Sequence, residues 1–233
     1  MMRDEAVNEI FKTAEAEGRD FLFEHEAKNL CVLYGLPVTK ITVGETEEDV
    51  VDAAKKLGFP VVLKIVSPQV IHKSDVGGVL IDIKDEMGVR QGYKTILKNI
   101  KAYVPEAEIT GILIQKMAPW GTEVIVGSTK DPTFGTTLMF GLGGIFVEIL
   151  KDVSFRLVPI VRSDAEEMVK KIKAYKILEG VRGKPPSDTK VIVEILLKTS
   201  EMLVDCPEIS ELDMNPVLVY EEGAMVVDAR IIL

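Results

Sequence analysis

Residues 57–78 read LGFPVVLKIVSPQVIHKSDVGG, and the order of features in this stretch decides which folds the chain supports. The apolar run at 61–66 predicts a strand with Lys64 in its middle. A polar loop follows, contains His72 and ends with paired glycines at 77 and 78. Paired glycines allow backbone N–H groups to approach a phosphate closely, although the GxxxxGK[ST] pattern of P-loop proteins is not present in the sequence.

Lys64 and His72 each have two interpretations from the residues alone. Lys64 is either a snorkelling lysine of an edge strand or a phosphate ligand held by its strand. His72 is either a surface histidine or a nucleophile that carries phosphate on a ring nitrogen. Ser74, Gly77 and Gly78 share its loop and complete the candidate phosphate-binding group. The other histidine, His25, is expected to be a solvated residue at the start of a helix.

Periodicity on both sides of this stretch predicts alternating helices and strands. The predicted helices lie near 23–34, 46–57, 87–103, 164–174 and 188–204. The predicted strands lie near 61–66, 79–83, 111–117, 122–128, 136–140 and 153–160, and an antiparallel hairpin closes the chain. Thr46 and Asp49 form an acidic variant of the capping box at the start of the second helix.

This pattern predicts an α/β protein with two mixed α+β lobes and a cleft between them. Residues 1–21 are expected to form a helical extension, residues 22–117 the N-terminal lobe and residues 118–233 the C-terminal lobe. The segment APWG at 118–121 is a turn and a plausible hinge.

The end of the chain carries oxygen donors that favour a divalent cation. ELDMNP (211–216) places Asp213 and Asn215 two residues apart, so that both side chains face the same side of a strand. VVDAR (226–230) then returns Asp228 on the neighbouring strand. Three oxygen donors on one face suit Mg²⁺, which binds few protein ligands. In the alternative interpretation the asparagine merely starts a turn, and the last aspartate is a strand-end charge.

Further candidates lie between these two groups. Gln115, Lys116 and Met117 end a strand where backbone groups are suited to reading an adenine edge, or they form an ordinary strand end. Glu123 follows the turn and is interpreted as a ribose contact or as a solvated glutamate.

The glycine-rich segment FGLGG (140–144), with Glu148 and Arg156 beyond it, is a cover over phosphates or a partner-docking surface. Glycines in strands also mark bulges and close packing, so that interpretation stays open.

Composition excludes several other classes of protein. The net charge of -9 argues against a nucleic-acid binder, which needs a basic face. The two cysteines have neither metal-ligand spacing nor a disulfide framework, which indicates a reducing compartment. The N-terminus lacks the basic start and apolar core of a secretory signal, and the longest uncharged run is broken by glycines. We therefore expect a soluble, cytoplasmic protein with no membrane span.

Several stretches together resemble the ATP-grasp fold. They are LFEHEAKNLCVLYGLPV (22–38), LGFPVVLKI (57–65), the strand ending in QKM, ELDMNPV and VVDAR. SPQVIHKSDVGGV (67–79) and DPTFGTTLMFGLGGIFVEILKDVSFRLVP (131–159) are similar to a narrower family. That family is the β subunits of ADP-forming acyl-CoA synthetases (acetate–CoA ligase, ADP-forming), relatives of succinyl-CoA synthetase.

The resemblance implies an acid–thiol ligase that works only with a partner. A CoA-binding α subunit would form an acyl phosphate from acyl-CoA and phosphate, and a histidine of that subunit would accept the phosphoryl group. The phosphoryl group would finally pass to ADP, which the ATP-grasp part holds, and ATP would form. The family also implies Mg²⁺ and a heterotetramer of two α and two β subunits.

Residue roles follow from the same resemblance. Lys64 would grip the nucleotide phosphates, 115–117 would border the adenine, and Glu123 would contact the nucleotide. Asn215 and Asp228 match magnesium ligands of the relatives. Asp213 matches a carboxylate that steadies the incoming phosphohistidine, and His72 matches a second phosphohistidine.

The sequence also leaves two other functions to consider. The first is a different ATP-grasp carboxylate ligase, which the missing acid-substrate motif disfavours. The second is a noncatalytic nucleotide-sensing module, which would not need His72. The initial methionine and the end just after the final strand are expected of a freestanding subunit.

Overall fold

The computed structural model describes residues 2–144, 147, 151–181, 183 and 185–233. The chain divides into two compact units, and each has its own apolar core. The smaller unit is Thr39–Pro119, and the larger unit combines Met1–Val38 with Trp120–Leu233.

The smaller unit is a four-stranded antiparallel sheet covered by two helices. In chain order its elements are β2 (Ile41–Gly44), α3 (Glu47–Leu57), β3 (Val61–Val66), β4 (Val79–Ile83), α4 (Glu86–Tyr103) and β5 (Gly111–Lys116). The strand order is β2-β5-β3-β4. Both helices bury apolar side chains against one face of the sheet. That face of the sheet contributes Val61, Leu63, Ile65, Ile112 and Ile114 to the core.

The predicted start of α3 is confirmed by its hydrogen bonds. The Asp49 amide donates to Thr46 Oγ1 at 3.2 Å, and the Thr46 amide donates to the Asp49 carboxylate at 3.0 Å. This reciprocal pair satisfies two backbone donors that have no partner inside the helix. Gly58, with φ of 79°, follows the last turn and ends the helix.

The larger unit is built on a seven-stranded sheet. Its helices are α1 (Met2–Ala16), α2 (Glu24–Leu33), α5 (Arg162–Lys171), α6 (Tyr175–Leu178) and α7 (Thr189–Asp205). Its strands are β1 (Phe21–Leu22), β6 (Thr122–Asp131), β7 (Gly135–Leu142), β8 (Val153–Leu157), β9 (Glu211–Val219), β10 (Ala224–Val226) and β11 (Ala229–Ile232). The strand order is β1-β11-β9-β6-β7-β8, and β10 also pairs with β9.

Alternation along β9 decides which residues enter the core of this unit. Leu212 and Met214 are buried, whereas Glu211, Asp213 and Asn215 are exposed. The buried set packs with apolar residues of α2, α5 and α7 in one cluster. The opposite face of β9 therefore remains available for polar side chains.

The N-terminal lobe was predicted to span residues 22–117, but the smaller unit of the structure begins only at Thr39. Residues 22–38 belong to the larger unit because β1 pairs with β11, Phe21 opposite Ile232, and α2 packs on that strand. The other predicted boundary, at 118, lies beside the observed one, between Pro119 and Trp120. Local sequence patterns did not reveal the pairing of strands at opposite ends of the chain.

In the part of the chain that the structure describes, no helix is both long enough and apolar enough to cross a membrane.

Candidate functional site

Lys64 lies on an interior strand of the smaller unit. Its strand, β3, pairs with β5 on one side and with β4 on the other, where Lys64 stands opposite Leu113 and Val79. The alternative of a snorkelling lysine on an edge strand is therefore wrong. Lys64 is only 6% exposed. Backbone hydrogen bonds on both sides fix the position from which its side chain leaves the sheet.

Lys64 and Gln115 share one face of this sheet. Val62 is the Cα partner of Gln115, so these two side chains leave the same face of the sheet. Lys64 is two residues from Val62 and shares that face, which is the one opposite α3 and α4. Gln115 is 1% exposed. The structure thus brings two of the predicted nucleotide-binding side chains to a common face, away from the apolar core.

Lys116 and Met117 support a neighbouring turn. The Lys116 ammonium donates to the carbonyl oxygens of Gly58 at 2.7 Å and Phe59 at 2.8 Å. The Met117 amide donates to the Pro60 carbonyl oxygen at 3.2 Å. These bonds attach the end of β5 to the segment that leads into β3.

The loop between β3 and β4 is closed at its base and open at its tip. The Gly78 amide donates to the Lys73 carbonyl at 2.7 Å, and the Gly78 carbonyl accepts from the Ile65 amide at 2.8 Å. The Gly77 amide donates to the Ser74 carbonyl at 3.2 Å. His72 and Ser74 lie within the loop and are exposed. The structure therefore presents the His72 ring on a loop that is attached directly to the strand of Lys64.

Gly78 has no room for a side chain, and we expect Gly78→Ala to destabilise the smaller unit. A Cβ at this position would lie 2.6 Å from Ile65 Cγ2 and 2.9 Å from the Lys73 carbonyl oxygen. Overpacking of this kind costs about 1–3 kcal/mol. Urea unfolding followed by circular dichroism measures the loss, with Ser74→Ala in the same loop as the control. An unchanged unfolding midpoint for Gly78→Ala would show that the loop base is not fixed in this way.

The three predicted cation ligands lie on β9 and directly before β11, the strand that pairs with it. Asp213 and Asn215 project from the exposed face of β9, as their spacing predicts. The Asn215 amide donates to the Asp228 carbonyl oxygen at 3.3 Å, which ties the residue before β11 to β9. Asn215 lies within β9 and does not start a turn, whereas Asp228 is the residue directly before β11, where the alternative interpretation placed a strand-end charge.

The electrostatics of Asp213 favour a positively charged ligand. Asp213 reaches solvent, but protein atoms crowd its carboxyl. This burial raises the pKa of Asp213, the negative charge of Asp228 raises it further, and Arg230 lowers it. Two carboxylates that repel one another beside an amide oxygen form a donor set that fits Mg²⁺. Among the described residues, no three His, Cys, Asp or Glu side chains cluster as metal ligands.

Glu123 lies beneath the glycine-rich segment. Its carbonyl oxygen accepts from the Gly143 amide at 2.8 Å, and a Cβ on Gly143 would lie only 3.0 Å from the Glu123 Cβ. The close packing proposed for these glycines is therefore present. Glu148 falls outside the described residues. Arg156 donates to the Glu167 carboxylate at 2.8 Å and so has a carboxylate partner of its own.

Sequence reasoning missed a buried group of charges at the start of α2. The Lys28 ammonium lies 2.9 Å from the Glu24 carboxylate, with side chains 0% and 2% exposed. Arg19 forms a two-bond pair with Glu26, at 2.8 Å for each bond. The spacing of Glu24 and Lys28, one helical turn apart, was the available signal.

The prediction of a solvated His25 is wrong. Its ring stacks on Phe23 at 5.7 Å, and its Nδ1 is buried without a hydrogen-bond partner among the described residues. Burial lowers the pKa of His25. Its acidic neighbours, Glu24 and Glu26, are themselves buried in ion pairs.

Comparison with known proteins supports the fold. A family model described as an ATP-grasp domain matches residues 13–233, and the predicted ATP-grasp fold is thereby confirmed. The acetate–CoA ligase (ADP-forming) I subunit beta of Pyrococcus furiosus is 50% identical over 233 residues, covering 100% of both chains. The chain belongs to the ATP-grasp family and, within it, to the β subunits of ADP-forming acetate–CoA ligases.

Solved structures agree with this assignment. An acetyl-coenzyme A synthetase of Ca. Korarchaeum cryptofilum, in complex with coenzyme A and Ca-AMPCP, has a TM-score of 0.94 and 52% identity, covering 97% of this chain and 98% of that one. A second structure of that enzyme contains coenzyme A and Mg-AMPPCP, with its phosphohistidine segment pointing towards the nucleotide binding site. Its TM-score is 0.85 and its identity 48%, with coverage of 97% and 99%.

Proposed function

We propose that this chain is the nucleotide-binding subunit of an ADP-forming acyl-CoA synthetase and that His72 relays the phosphoryl group to ADP. The observation that carries the proposal is the exposed His72 on a loop whose base is hydrogen-bonded to the strand of Lys64. The Korarchaeum enzyme, whose structure contains a phosphohistidine segment and a nucleotide analogue, supports the same chemistry. The complete reaction converts acyl-CoA, ADP and phosphate into a carboxylic acid, ATP and CoA.

The nucleotide is assigned to the face that carries Lys64 and Gln115. The Lys64 ammonium binds the phosphates, and backbone N–H groups around Ser74, Gly77 and Gly78 approach them. Gln115 and Met117 border the adenine, with Lys116 holding the adjoining turn through its two carbonyl contacts. Glu123 is assigned as a further nucleotide contact.

Two substitutions at phosphorus make up the relay. In the first, a ring nitrogen of His72 attacks the phosphoryl group on the partner's histidine, and the P–N bond to that histidine breaks. In the second, a β-phosphate oxygen of ADP attacks the phosphoryl group on His72, whose P–N bond breaks as ATP forms. Each step needs in-line geometry and neutralised phosphoryl oxygens.

Asp213 is assigned to orient the imidazole of the incoming phosphohistidine by accepting a hydrogen bond from its second ring N–H. Asn215 and Asp228, with Asp213 beside them, would hold Mg²⁺. A bound Mg²⁺ supplies positive charge that neutralises phosphate oxygens.

The partner required by this function is a CoA-binding α subunit, in an assembly of two α and two β subunits. The test is to purify the chain with that partner and measure ATP formation from a panel of acyl-CoAs with ADP, phosphate and Mg²⁺. The complex is expected to form ATP, and neither subunit alone is expected to do so. A complex that forms no ATP from any acyl-CoA would overturn the proposal.

Replacing Lys64 with methionine is expected to weaken ADP binding roughly 10- to 100-fold, because a hydrogen bond to a charged group contributes about 1.5–3 kcal/mol. Titration calorimetry of ADP into the complex measures the change. Lys98→Met, an exposed lysine on α4 of the same unit, is the matched control. Equal ADP affinity in Lys64→Met and the wild type would place the phosphates elsewhere.

A further inference from the structure

Register across three strands of the larger sheet places Arg230 beside Asp213. Gly127 on β6, Asp213 on β9 and Arg230 on β11 are successive Cα partners. Side chains of directly opposed residues leave the same face of a sheet, with Cβ atoms about 5 Å apart. Arg230 therefore projects from the face that carries Asp213.

Arg230 differs from the other arginines that the structure describes. Each of the others donates to at least one carboxylate; they are Arg3, Arg19, Arg90, Arg156 and Arg162. Within the described residues, the half-buried Arg230 has no hydrogen bond or ion pair to its guanidinium. It nevertheless stands close enough to Asp213 to influence that carboxyl electrostatically. Its N–H groups are thus held near Asp213 and remain available to a ligand.

The third residue of the row, Gly127, brings no polar side chain to Asp213. Gly127 has no side chain, and a Cβ there would approach Met139 Cε at 3.1 Å. On its β6 side, Asp213 therefore has as its neighbour the apolar Met139 side chain, which lies over Gly127. Within this row the guanidinium of Arg230 lies on the β11 side of Asp213.

We propose that Arg230 binds the phosphoryl oxygens of the phosphohistidine that the partner brings to Asp213, an inference that rests on the proposed function. A carboxylate beside an imidazole nitrogen repels the negative phosphoryl group attached to the other nitrogen. A guanidinium offsets this repulsion and supplies paired N–H donors that match two phosphoryl oxygens. Asp213 and Arg230 then bind the two ends of one ligand, imidazole and phosphoryl group.

The test follows label from radioactive inorganic phosphate in the complex with its partner, without ADP. Acyl-CoA and labelled phosphate label the partner's histidine, and the rate at which label reaches this chain is measured in a single turnover. Arg230→Gln is expected to slow that transfer roughly 100- to 1000-fold, as loss of one preorganised donor does. Arg230→Lys is expected to recover part of the rate, since it keeps the charge without the paired donors.

Controls separate this role from a structural one. Arg162→Gln removes an exposed arginine that pairs with Glu194, and it is expected to transfer label at the wild-type rate. ADP affinity and the urea midpoint of Arg230→Gln are expected to match the wild type. A wild-type transfer rate in Arg230→Gln would overturn the role of Arg230. Equal losses of rate in the Gln and Lys variants, together with a lowered urea midpoint, would also overturn it. Either result would leave the proposed relay itself intact. If the wild-type chain never acquires label, the proposed relay fails, and the role of Arg230 fails with it.

Discussion

His72→Ala is expected to lower ATP formation by the complex roughly a thousandfold or more, because the relay loses the nucleophile through which each phosphoryl group passes. The variant chain is expected to acquire no acid-labile phosphate. ADP binding is expected to persist, since Lys64 and Gln115 lie on the sheet and not on the loop. Single-turnover labelling and a coupled ATP assay measure the two losses separately.

Two further variants make this result specific to the imidazole. His72→Gln keeps a polar side chain that cannot carry phosphate in the same way, and it is expected to behave like His72→Ala. Asp75→Ala alters another exposed residue of the loop and is expected to leave turnover unchanged. Full turnover in His72→Ala would mean that the partner's histidine transfers directly to ADP, and the relay would have to be abandoned.

Lys28→Met is expected to lower the free energy of unfolding by about 3–5 kcal/mol, because the substitution leaves the buried Glu24 carboxylate without its cation. The two side chains are almost completely excluded from solvent, at 0% and 2% exposure. Water therefore cannot compensate for the missing ammonium. Urea or thermal unfolding of the chain, followed by circular dichroism, measures the change.

The double variant Glu24→Leu/Lys28→Met tests the electrostatic cause. Removing both charges is expected to restore most of the lost stability, since apolar residues often replace a buried ion pair at little cost. Lys12→Met, an exposed lysine on α1 of the same unit, is the matched control and is expected to change stability little. If the double variant were less stable than Lys28→Met, packing of the lysine stem would be the main contribution of this residue.

Local patterns in the sequence were sufficient for the strands and for part of the candidate site. The apolar run at 61–66 and the alternation at 79–83 correspond to β3 and β4 without any shift of their bounds. The two-residue spacing of Asp213 and Asn215 gave the correct face, because side-chain direction in a strand alternates strictly. The roles assigned to Lys64 and His72 remain predictions, since burial and exposure do not by themselves define a ligand.

Local sequence patterns did not predict the features that depend on strand register or on buried ion pairs. Arg230 gained its significance only from its register opposite Asp213 across the final hairpin. Glu24 and Lys28 are charged residues on a helix, and an apolar periodicity assigns such residues to the solvent side. In the structure they neutralise each other inside the protein, so their burial follows from pairing and not from hydropathy.

The pairing of β1 with β11 also determines the order in which the chain is able to fold during synthesis. The smaller unit is one continuous segment, so all of its strands are available once residue 119 has been made. The sheet of the larger unit cannot include β1 until β11, which pairs with Phe21 and Leu22, has been made. Because translation proceeds from the N-terminus, the segment before residue 39 must wait for its partner strand while the inserted unit completes its own core.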